Sequence, residues 1–184
     1  VSQGQLFPFG KTHYPDEKEM SLGFKELASV CVAIAAGKQT VLLRKAGLRE
    51  STTESGFQAR SFHLLPTHYH EKKKSARGDG FNVSLRIEVI RSGDLRDGSV
   101  IEKLAPLTAY DPQTLREHFD SRDEKLLHFA LVRAFRLQPV WHLPSAPELS
   151  GCRSWFELSP VPSGIHETPV AADAVLQATR ALLP

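Results

Sequence analysis

The chain has 184 residues, of which 41% are hydrophobic and 24% are charged, and these values are ordinary for one globular domain. Its formal net charge is only +2, so any attraction to nucleic acid must come from local clusters of charge. Two cysteines, Cys31 and Cys152, lack Cys-x-x-Cys spacing and are too few for a disulfide framework. The composition therefore excludes a disulfide-stapled scaffold and favours a cytoplasmic protein.

The first 20 residues are polar and are interrupted by Pro8 and Pro15, without the apolar core of a signal peptide. No apolar run in the chain reaches the roughly 18 residues that a membrane-spanning helix needs. We therefore expect an irregular extension over residues 1–20, a single domain over residues 21–184, and no membrane partner.

The first half of this domain predicts a helix followed by two strands. Between residues 21 and 36 apolar side chains recur at steps of three and four, which predicts one helix that ends at Gly37. Residues 40–45 predict a strand that is buried on both faces, as a strand at the centre of a sheet would be. Residues 62–65 predict a short extended segment that is stopped by Pro66.

Residues 81–89 alternate strictly between apolar and polar side chains, which predicts a strand with one buried and one solvated face. Residues 100–104 predict an edge strand that is limited by Pro106. Asp111 followed by Pro112 is typical of a helix N-cap and the first helical position, and predicts a short helix.

Residues 126–137 are apolar on both faces apart from His128, Arg133 and Arg136, which predicts an interior strand. Arg133 must be paired or reach solvent, since burying an unpaired ion would cost several kcal/mol. Three further elements are a proline-rich connector over residues 139–147, a last strand over residues 153–158, and a terminal helix that begins at Thr168 and Pro169. Together these elements predict an α+β fold with a curved mixed or antiparallel sheet and a helix at each end.

Four segments occur in an order and spacing that resemble the uncharacterised bacterial family of unknown function DUF1802. The segments are Leu43-Arg44-Lys45-Ala46-Gly47-Leu48, Phe62-His63-Leu64-Leu65-Pro66-Thr67, Val132-Arg133-Ala134-Phe135-Arg136-Leu137 and Gly151-Cys152-Arg153-Ser154-Trp155. The resemblance covers about residues 22–160 and departs at Ala46, where the family favours glycine, and at His70-Glu71, where it favours His-Gln. Some members are fused to a restriction-endonuclease-like domain, so the resemblance implies a nucleic-acid context and a restriction-type or other nucleic-acid-processing partner.

A second resemblance is topological. The order helix, Gly37, Thr40, strand, Arg44 is similar to the opening of the ASCH branch of the PUA-like superfamily, small barrels that bind RNA, modified bases or nucleosides. Where an ASCH amidohydrolase would carry its catalytic lysine and threonine, this chain has Gln39 and Leu42. The resemblance therefore implies a small PUA-like barrel, and Gln39 argues against that hydrolase chemistry because it cannot shuttle a proton.

The turn around Gly47 is the first candidate site. Arg44, Lys45 and Arg49 lie around this glycine, so the turn could surround a phosphate with cationic groups and backbone amides. The alternative is a surface turn whose charges face water or pair with neighbouring glutamates.

A histidine-rich segment is the second candidate. His63, His68 and His70 match no established zinc spacing, so we predict neither a metal nor a cofactor. Together with Tyr69, His63 and His68 could contribute hydrogen bonds or stacking to a base, next to the lysines at 72–74. The alternative is a solvated lysine-rich loop.

The third candidate is the run Arg153, Ser154 and Trp155, which offers a guanidinium, a hydroxyl and an indole. Its alternative is that Trp155 belongs to the core. A carboxylate and lysine pattern at residues 123–125 faintly resembles metal-dependent restriction nucleases, and short patterns of this kind often occur by chance.

We predict a nucleic-acid or nucleotide-binding module, with RNA or DNA as the partner and no assigned catalytic residue. Its predicted ligand face comprises Arg44, Lys45, Gly47, Arg49, His63, His68, His70, Arg133, Arg153, Ser154 and Trp155. The first alternative is a hydrolase or nuclease that acts on nucleic acid or modified nucleosides, for which a carboxylate and a histidine should converge in one pocket. The second alternative is a protein-interaction subunit with an exposed apolar patch.

Overall fold

A computed structural model describes residues 21–45, 57, 59–68, 80–121, 125–150 and 153–184. These residues form seven strands and four α-helices. The elements in chain order are β1 (Ser21–Leu27), α1 (Ala28–Ala35), β2 (Val41–Arg44), β3 (Ser61–Thr67), β4 (Phe81–Leu95), α2 (Gly98–Leu104), α3 (Pro112–Asp120), β5 (Leu127–Leu143), β6 (Trp155–Leu158), β7 (His166–Pro169) and α4 (Asp173–Leu182).

The strands form one sheet in the order β2-β5-β4-β3-β1-β6, with β7 also paired to β5. Strands β1 and β3 are parallel, whereas the other pairs are antiparallel. The predicted α+β class with a mixed sheet is therefore confirmed. Among the described strands β2 and β6 do not pair with each other, so the sheet is open at these two ends.

The longest ladder joins β4 to β5 and contains a β-bulge at Ile90. Val89 lies opposite Val132, but Arg91 lies opposite Leu131, so Ile90 is an extra residue on β4. An extra residue reverses which side chains face which side of the sheet. The face of β4 that carries odd-numbered residues before the bulge therefore carries even-numbered residues beyond it.

Two apolar clusters cover the two faces of the sheet near β2 and β5. One lies under α1 and the other under α2, α3 and α4. The α1 cluster includes Phe24, Ile34, Leu42, Leu85, Ile87 and Val132, and the cluster under the other three helices includes Val41, Leu43, Leu95, Leu104, Phe119 and Leu131. We call the face that packs under α1 the α1 face.

Strand β2 confirms the prediction for residues 40–45 in type but not in position. All of Val41, Leu42 and Leu43 are buried, yet β2 stands at one end of the strand order. Its burial comes from the two apolar clusters, because its side chains alternate between them. A doubly buried apolar run therefore does not require a central strand.

The prediction of one helix over residues 21–36 is wrong for its first half. Residues Ser21–Leu27 form β1, which pairs with β3 and β6, and only Ala28–Ala35 is helical. Phe24 and Leu27, three residues apart, fit one face of a helix but not one face of a strand, so the local pattern favoured the wrong element. The predicted edge strand at residues 100–104 is also wrong, since α2 occupies it and begins at an Asp97 cap that accepts from the Ser99 amide at 2.8 Å.

Prolines end fewer strands than the sequence suggests. Strand β3 continues through Pro66, and β5 continues through Pro139 into the predicted connector. The predicted last strand is β6, but β7 follows it and contains Thr168 and Pro169, so α4 begins later than predicted, at Asp173.

Two local predictions are confirmed. Asp111 caps α3 by accepting from the Thr114 amide at 2.8 Å, and Pro112 is the first helical residue. In β4 the alternation buries Val83, Leu85 and Ile87. Among the described residues, no helix has the length and apolarity to cross a bilayer.

Gly37 offers a test of the packing between the start of β2 and the start of α4. Its φ is +69°, and a Cβ there would lie 2.2 Å from the Ala171 carbonyl oxygen. Gly164 has a φ of +89° with nothing within 4 Å of its would-be Cβ, so it is a matched control for backbone strain alone. We expect Gly164→Ala to cost about 1 kcal/mol of unfolding free energy and Gly37→Ala to cost about 1–3 kcal/mol more. Urea unfolding of both variants measures this difference, and equal losses would contradict the close contact.

Candidate anion-binding site

Polar side chains replace apolar ones where β1, β2, β4 and β5 reach one end of the α1 face. We call this group the polar cluster. It comprises Glu26, Arg44, Asp94, Tyr110, His128, Ser154 and Trp155.

Strand alternation explains how β1 and β2 contribute to the polar cluster. Glu26 lies two residues after Phe24, and Arg44 lies two residues after Leu42, so each shares a strand face with a buried residue of the α1 cluster. The two charged side chains therefore continue the interior face beyond its apolar part.

Three polar residues lie in one row across β2, β5 and β4. His128 is the direct cross-strand partner of Arg44 on one side and of Asp94 on the other. Direct partners in an antiparallel sheet point to the same face. The Nδ1 atom of His128 lies 2.7 Å from Asp94 Oδ1, and a hydrogen on Nδ1 would leave Nε2 as the acceptor. No described residue hydrogen-bonds to Nε2.

Arg44 brings Ser154 and Trp155 into the cluster. Its Nη2 atom donates to Ser154 Oγ at 3.3 Å, and its Cζ lies 5.3 Å from the centre of the Phe24 ring. The Trp155 ring packs against the same Phe24 ring with centres 4.7 Å apart. The Trp155 Nε1 atom is buried and has no acceptor among the described residues. The Arg44 guanidinium and the Trp155 indole thus both pack against Phe24, and Arg44 also holds the Ser154 hydroxyl.

Glu26 is the buried acid of the cluster, with 8% of its surface exposed. Its Oε2 accepts from the Tyr110 hydroxyl at 2.8 Å, and its Oε1 accepts from the Leu27 amide at 2.7 Å. The Tyr110 oxygen in turn accepts from the Leu43 amide at 3.3 Å. Tyr110 therefore links the Glu26 carboxyl to the backbone of β2 next to Arg44.

Burial changes the acidity of both members of this pair. Loss of hydration raises the pKa of Glu26 to about 7, although its two hydrogen bonds and the nearby Arg44 charge act in the opposite direction. Burial, and then the Glu26 charge, raise the pKa of Tyr110 well above its ordinary value. Tyr110 therefore remains a hydrogen-bond donor at neutral pH, where Glu26 exists in both protonation states.

Gln39 fixes the position of Tyr110. Its Oε1 atom accepts from the Ala109 amide at 2.7 Å, and its Nε2 atom donates to the Val41 carbonyl at 2.7 Å. The side chain thus ties the segment before α3 to the start of β2. Both ends of this amide are engaged with backbone.

The predicted ligand face is divided by the structure. Arg44, Ser154 and Trp155 lie together in the polar cluster. Lys45 directly follows Arg44 and is half-buried, with its Nζ 3.5 Å from the Phe119 carbonyl. Arg133 is exposed and, being odd-numbered on β5, lies on the opposite face from His128. The expectation that Arg133 reaches solvent fits this position, but Arg133 does not lie with Arg44.

The other predicted residues lie apart from the cluster or outside the described residues. Arg153 is exposed, with its Cζ 4.7 Å from the Phe156 ring centre and a hydrogen bond to the Glu148 carbonyl. His68 is exposed just after β3. Gly47, Arg49 and His70 lie outside the described residues.

His63 is buried on the opposite face of β3 from Phe62. Its ring meets Trp141 edge-on, with centres 5.4 Å apart. Burial is the main cause that lowers its pKa, so the ring is neutral at pH 7. Among the described residues, no three His, Cys, Asp or Glu side chains converge as metal ligands would.

Sequence reasoning missed four members of the polar cluster: Glu26, Asp94, Tyr110 and His128. Glu26 lies in the segment whose apolar spacing favours a helix, and Tyr110 precedes the Asp111 cap without a pattern of its own. His128 interrupts an otherwise apolar strand. This interruption is the usable signal, because a buried polar side chain needs a partner.

The fold and the cluster define an α+β protein with a mixed sheet and a polar end to its interior. Residues 23–181 match the family model described as "Domain of unknown function (DUF1802)". The chain therefore belongs to the DUF1802 family, as the four sequence segments suggested. The comparison with curated proteins found no match.

Solved structures similar to this chain include the ASCH protein of Zymomonas mobilis and two point variants of it. The unmodified protein is 13% identical with a TM-score of 0.46, over 76% of this chain and 87% of that chain. A tyrosine-to-phenylalanine variant is 13% identical with a TM-score of 0.46, over 76% of this chain and 91% of that chain. A serine-to-alanine variant is 13% identical with a TM-score of 0.49, over 79% of this chain and 91% of that chain.

The buried Glu26 carboxyl predicts a pH-dependent stability. A folded-state pKa of about 7 against an ordinary 4.5 means that the folded chain holds the proton more tightly. Its contribution to stability is therefore fully present below pH 4.5 and is lost as the pH rises to 7. Glu26→Gln removes this loss, so its unfolding free energy relative to wild type should rise by on the order of 2 kcal/mol between about pH 5 and pH 8. Urea unfolding at both pH values tests this, and a constant difference would contradict the assignment.

Proposed function

We propose that the protein is a nucleic-acid or nucleotide-binding module whose polar cluster contacts a phosphate group. The observation that carries this proposal is the packing of Arg44 and Trp155 against one aromatic ring, with the Ser154 hydroxyl hydrogen-bonded to Arg44. A phosphate offers several acceptor oxygens and one or two negative charges, which match a guanidinium flanked by neutral donors.

The energetics of the free protein favour such a ligand. A buried donor without an acceptor costs about 1–3 kcal/mol, and the Trp155 N–H is in that position among the described residues. A phosphate oxygen bound at this point would satisfy it. Arg44 is half-buried, so its attraction for an anion is screened less by salt than that of a surface arginine.

The test is a fluorescence-anisotropy titration with single-stranded RNA, single-stranded DNA and duplex DNA at two salt concentrations. We expect Arg44→Gln to weaken binding at least about tenfold, because a charge-assisted contact contributes about 1.5–3 kcal/mol. The matched control is Arg133→Gln, which removes the same charge from an exposed position on the opposite face of β5. It should change affinity less than about twofold.

The outcomes separate the site from the function. Equal losses in the two arginine variants would show a diffuse electrostatic interaction and would contradict the Arg44 site. Absence of binding to all three nucleic acids would contradict the function and would leave a small ligand or a protein partner in its place.

The Asp94–His128 pair favours a second candidate function, a hydrolase that acts on nucleic acid or nucleosides at the same cluster. A carboxylate that holds the imidazole through Nδ1 leaves Nε2 to take a proton from water or a ribose hydroxyl. Arg44 is the neighbouring residue in the same row, where it could stabilise developing negative charge.

Cleavage of fluorescently labelled RNA and DNA oligonucleotides tests this second candidate. We expect His128→Ala to lower the cleavage rate at least about a hundredfold, the usual contribution of a general base, while oligonucleotide binding persists. The matched control is His142→Ala, since His142 is exposed and its Nδ1 lies 2.9 Å from Asn82 Oδ1, away from Arg44. An identical rate in both variants would rule out His128 as the base.

A further inference from the structure

We infer that the outer end of the β4–β5 ladder is a flap that opens in acid, when the buried ring of His63 beneath it takes up a proton. The flap comprises residues 81–83 of β4 and residues 141–143 of β5, which pair with each other. The inference is independent of the proposed function, because the polar cluster contains none of these residues.

One side of the flap is apolar and the other is polar. Val83 lies opposite Trp141, and both side chains are buried. The adjacent pair, Asn82 and His142, is exposed, and its two side chains are hydrogen-bonded at 2.9 Å. The apolar side packs on a third apolar cluster, to which the rest of the sheet contributes Leu65, Leu137, Phe156 and Leu158.

An irregularity in the ladder separates the flap from the rest of the sheet. Leu85 lies opposite Arg136, whereas Val83 lies opposite Trp141, so two steps along β4 span five steps along β5. Regular pairing is therefore interrupted between the flap and Leu85. Proteins open locally in cooperative units, and an interrupted ladder is a boundary for such a unit. The flap can open while the remaining ladder stays paired.

His63 is the polar residue on which the flap closes. Its ring meets the Trp141 ring edge-on, with centres 5.4 Å apart, and only 5% of its surface is exposed. Neither ring nitrogen has a hydrogen-bond partner among the described residues. Burial of a neutral imidazole costs far less than burial of an imidazolium, whose full charge needs water or an opposite charge. Protonation of His63 therefore opposes closure of the flap.

The strands on either side of His63 bring positive charge close to its ring. Its cross-strand partner on β4 is Arg86. Its partner on β1 is Gly23, which has no side chain, and Lys25 follows two residues later on the same face. A proton on His63 would therefore add positive charge to a side of the sheet that already carries two cations.

Glu167 on β7 is the carboxylate that acts on His63, but Arg86 already holds it. Both carboxylate oxygens accept from Arg86 Nε, at 2.7 and 2.8 Å. Glu167 and the Leu22 backbone favour the charged ring, and Arg86 opposes it. Loss of hydration has the largest effect and lowers the pKa of His63. The closed flap therefore keeps the ring neutral.

Opening of the flap returns the ring to water. There His63 has its ordinary pKa of 6.5, so the open state takes up a proton that the closed state does not. The stability of the closed flap is therefore complete above about pH 6.5 and is lost as the pH falls. The equilibrium constant for opening rises by up to about tenfold for each pH unit below that value.

The experiment measures amide hydrogen exchange of the wild-type chain between about pH 5 and pH 7.5, as protection relative to an unstructured peptide at the same pH. We expect protection of the hydrogen-bonded amides at residues 81–83 and 141–143 to fall by up to about tenfold per pH unit below about pH 6.5. The amides of residues 41–44 in β2 report on the rest of the sheet and should not lose protection over this range.

His63→Phe is the decisive variant, because phenylalanine keeps an aromatic ring against Trp141 and cannot take up a proton. Its flap amides should be equally protected at every pH. His63→Gln repeats the test with a neutral polar side chain, should the phenylalanine variant fold poorly. The matched control is His142→Phe, which removes an exposed histidine from the outer side of the flap and should keep the wild-type acid profile.

A second measurement follows the flap through its own tryptophan. Trp155→Phe leaves Trp141 as the single tryptophan of the chain. Its emission should move to longer wavelength below about pH 6.5, and addition of His63→Phe should abolish this shift.

Three results would overturn the inference. The first is flap protection that does not change between pH 7.5 and pH 5. The second is an acid profile that survives in both His63 variants. The third is loss of protection by residues 41–44 with the same pH midpoint, which would show that the whole sheet opens together.

Discussion

The antiparallel ladder between β4 and β5 is the constraint on which the rest of the structure depends. The two strands extend over 15 and 17 residues, and they contribute residues to apolar clusters on both faces of the sheet and to the polar cluster. Strands β2 and β7 pair with successive parts of β5, while β3 extends the sheet from β4. The registers of β4 and of β2 on β5 therefore position Asp94, His128 and Arg44 in a single row.

The bulge at Ile90 determines which side chains of β4 reach the polar cluster. Before it, odd-numbered residues such as Leu85 and Ile87 face the interior under α1. Beyond it the parity is reversed, so that Asp94 faces the same side as His128. Without the extra residue Asp94 would point to the opposite face, and the imidazole would lose its carboxylate.

The sequence predicted those features that depend on neighbours along the chain. The alternation over residues 81–89, the Asp111 cap of α3 and the short β2 strand all arise from local pattern and local hydrogen bonding. For residues 21–27 the sequence pattern favours a helix, whereas the observed strand depends on pairing with β3 and β6, which are distant in the chain. Long-range strand pairing overrides a local helical pattern.

The candidate site was predictable only in part for the same reason. Arg44, Ser154 and Trp155 were recognised by residue type, and Arg44 meets Ser154 across 110 positions of sequence. Asp94 could not be placed, since strict alternation continued past residue 89 would put it on the solvated face. The acidity of Glu26 could not be predicted either, because it arises from burial and from Tyr110, 84 residues away.

The chemistry at position 26 determines how the polar cluster responds to pH. A glutamine there could accept from the Leu27 amide and donate to the Tyr110 oxygen, so both contacts of Glu26 could be kept without a charge. The carboxyl instead makes the folded state less stable as the pH rises, since burial outweighs its hydrogen bonds and the attraction of Arg44. What glutamate supplies and glutamine does not is a charge that can be gained or lost close to neutral pH. That charge lies beside a half-buried arginine and an indole N–H that has no acceptor among the described residues, so the stability of the polar cluster changes close to neutral pH.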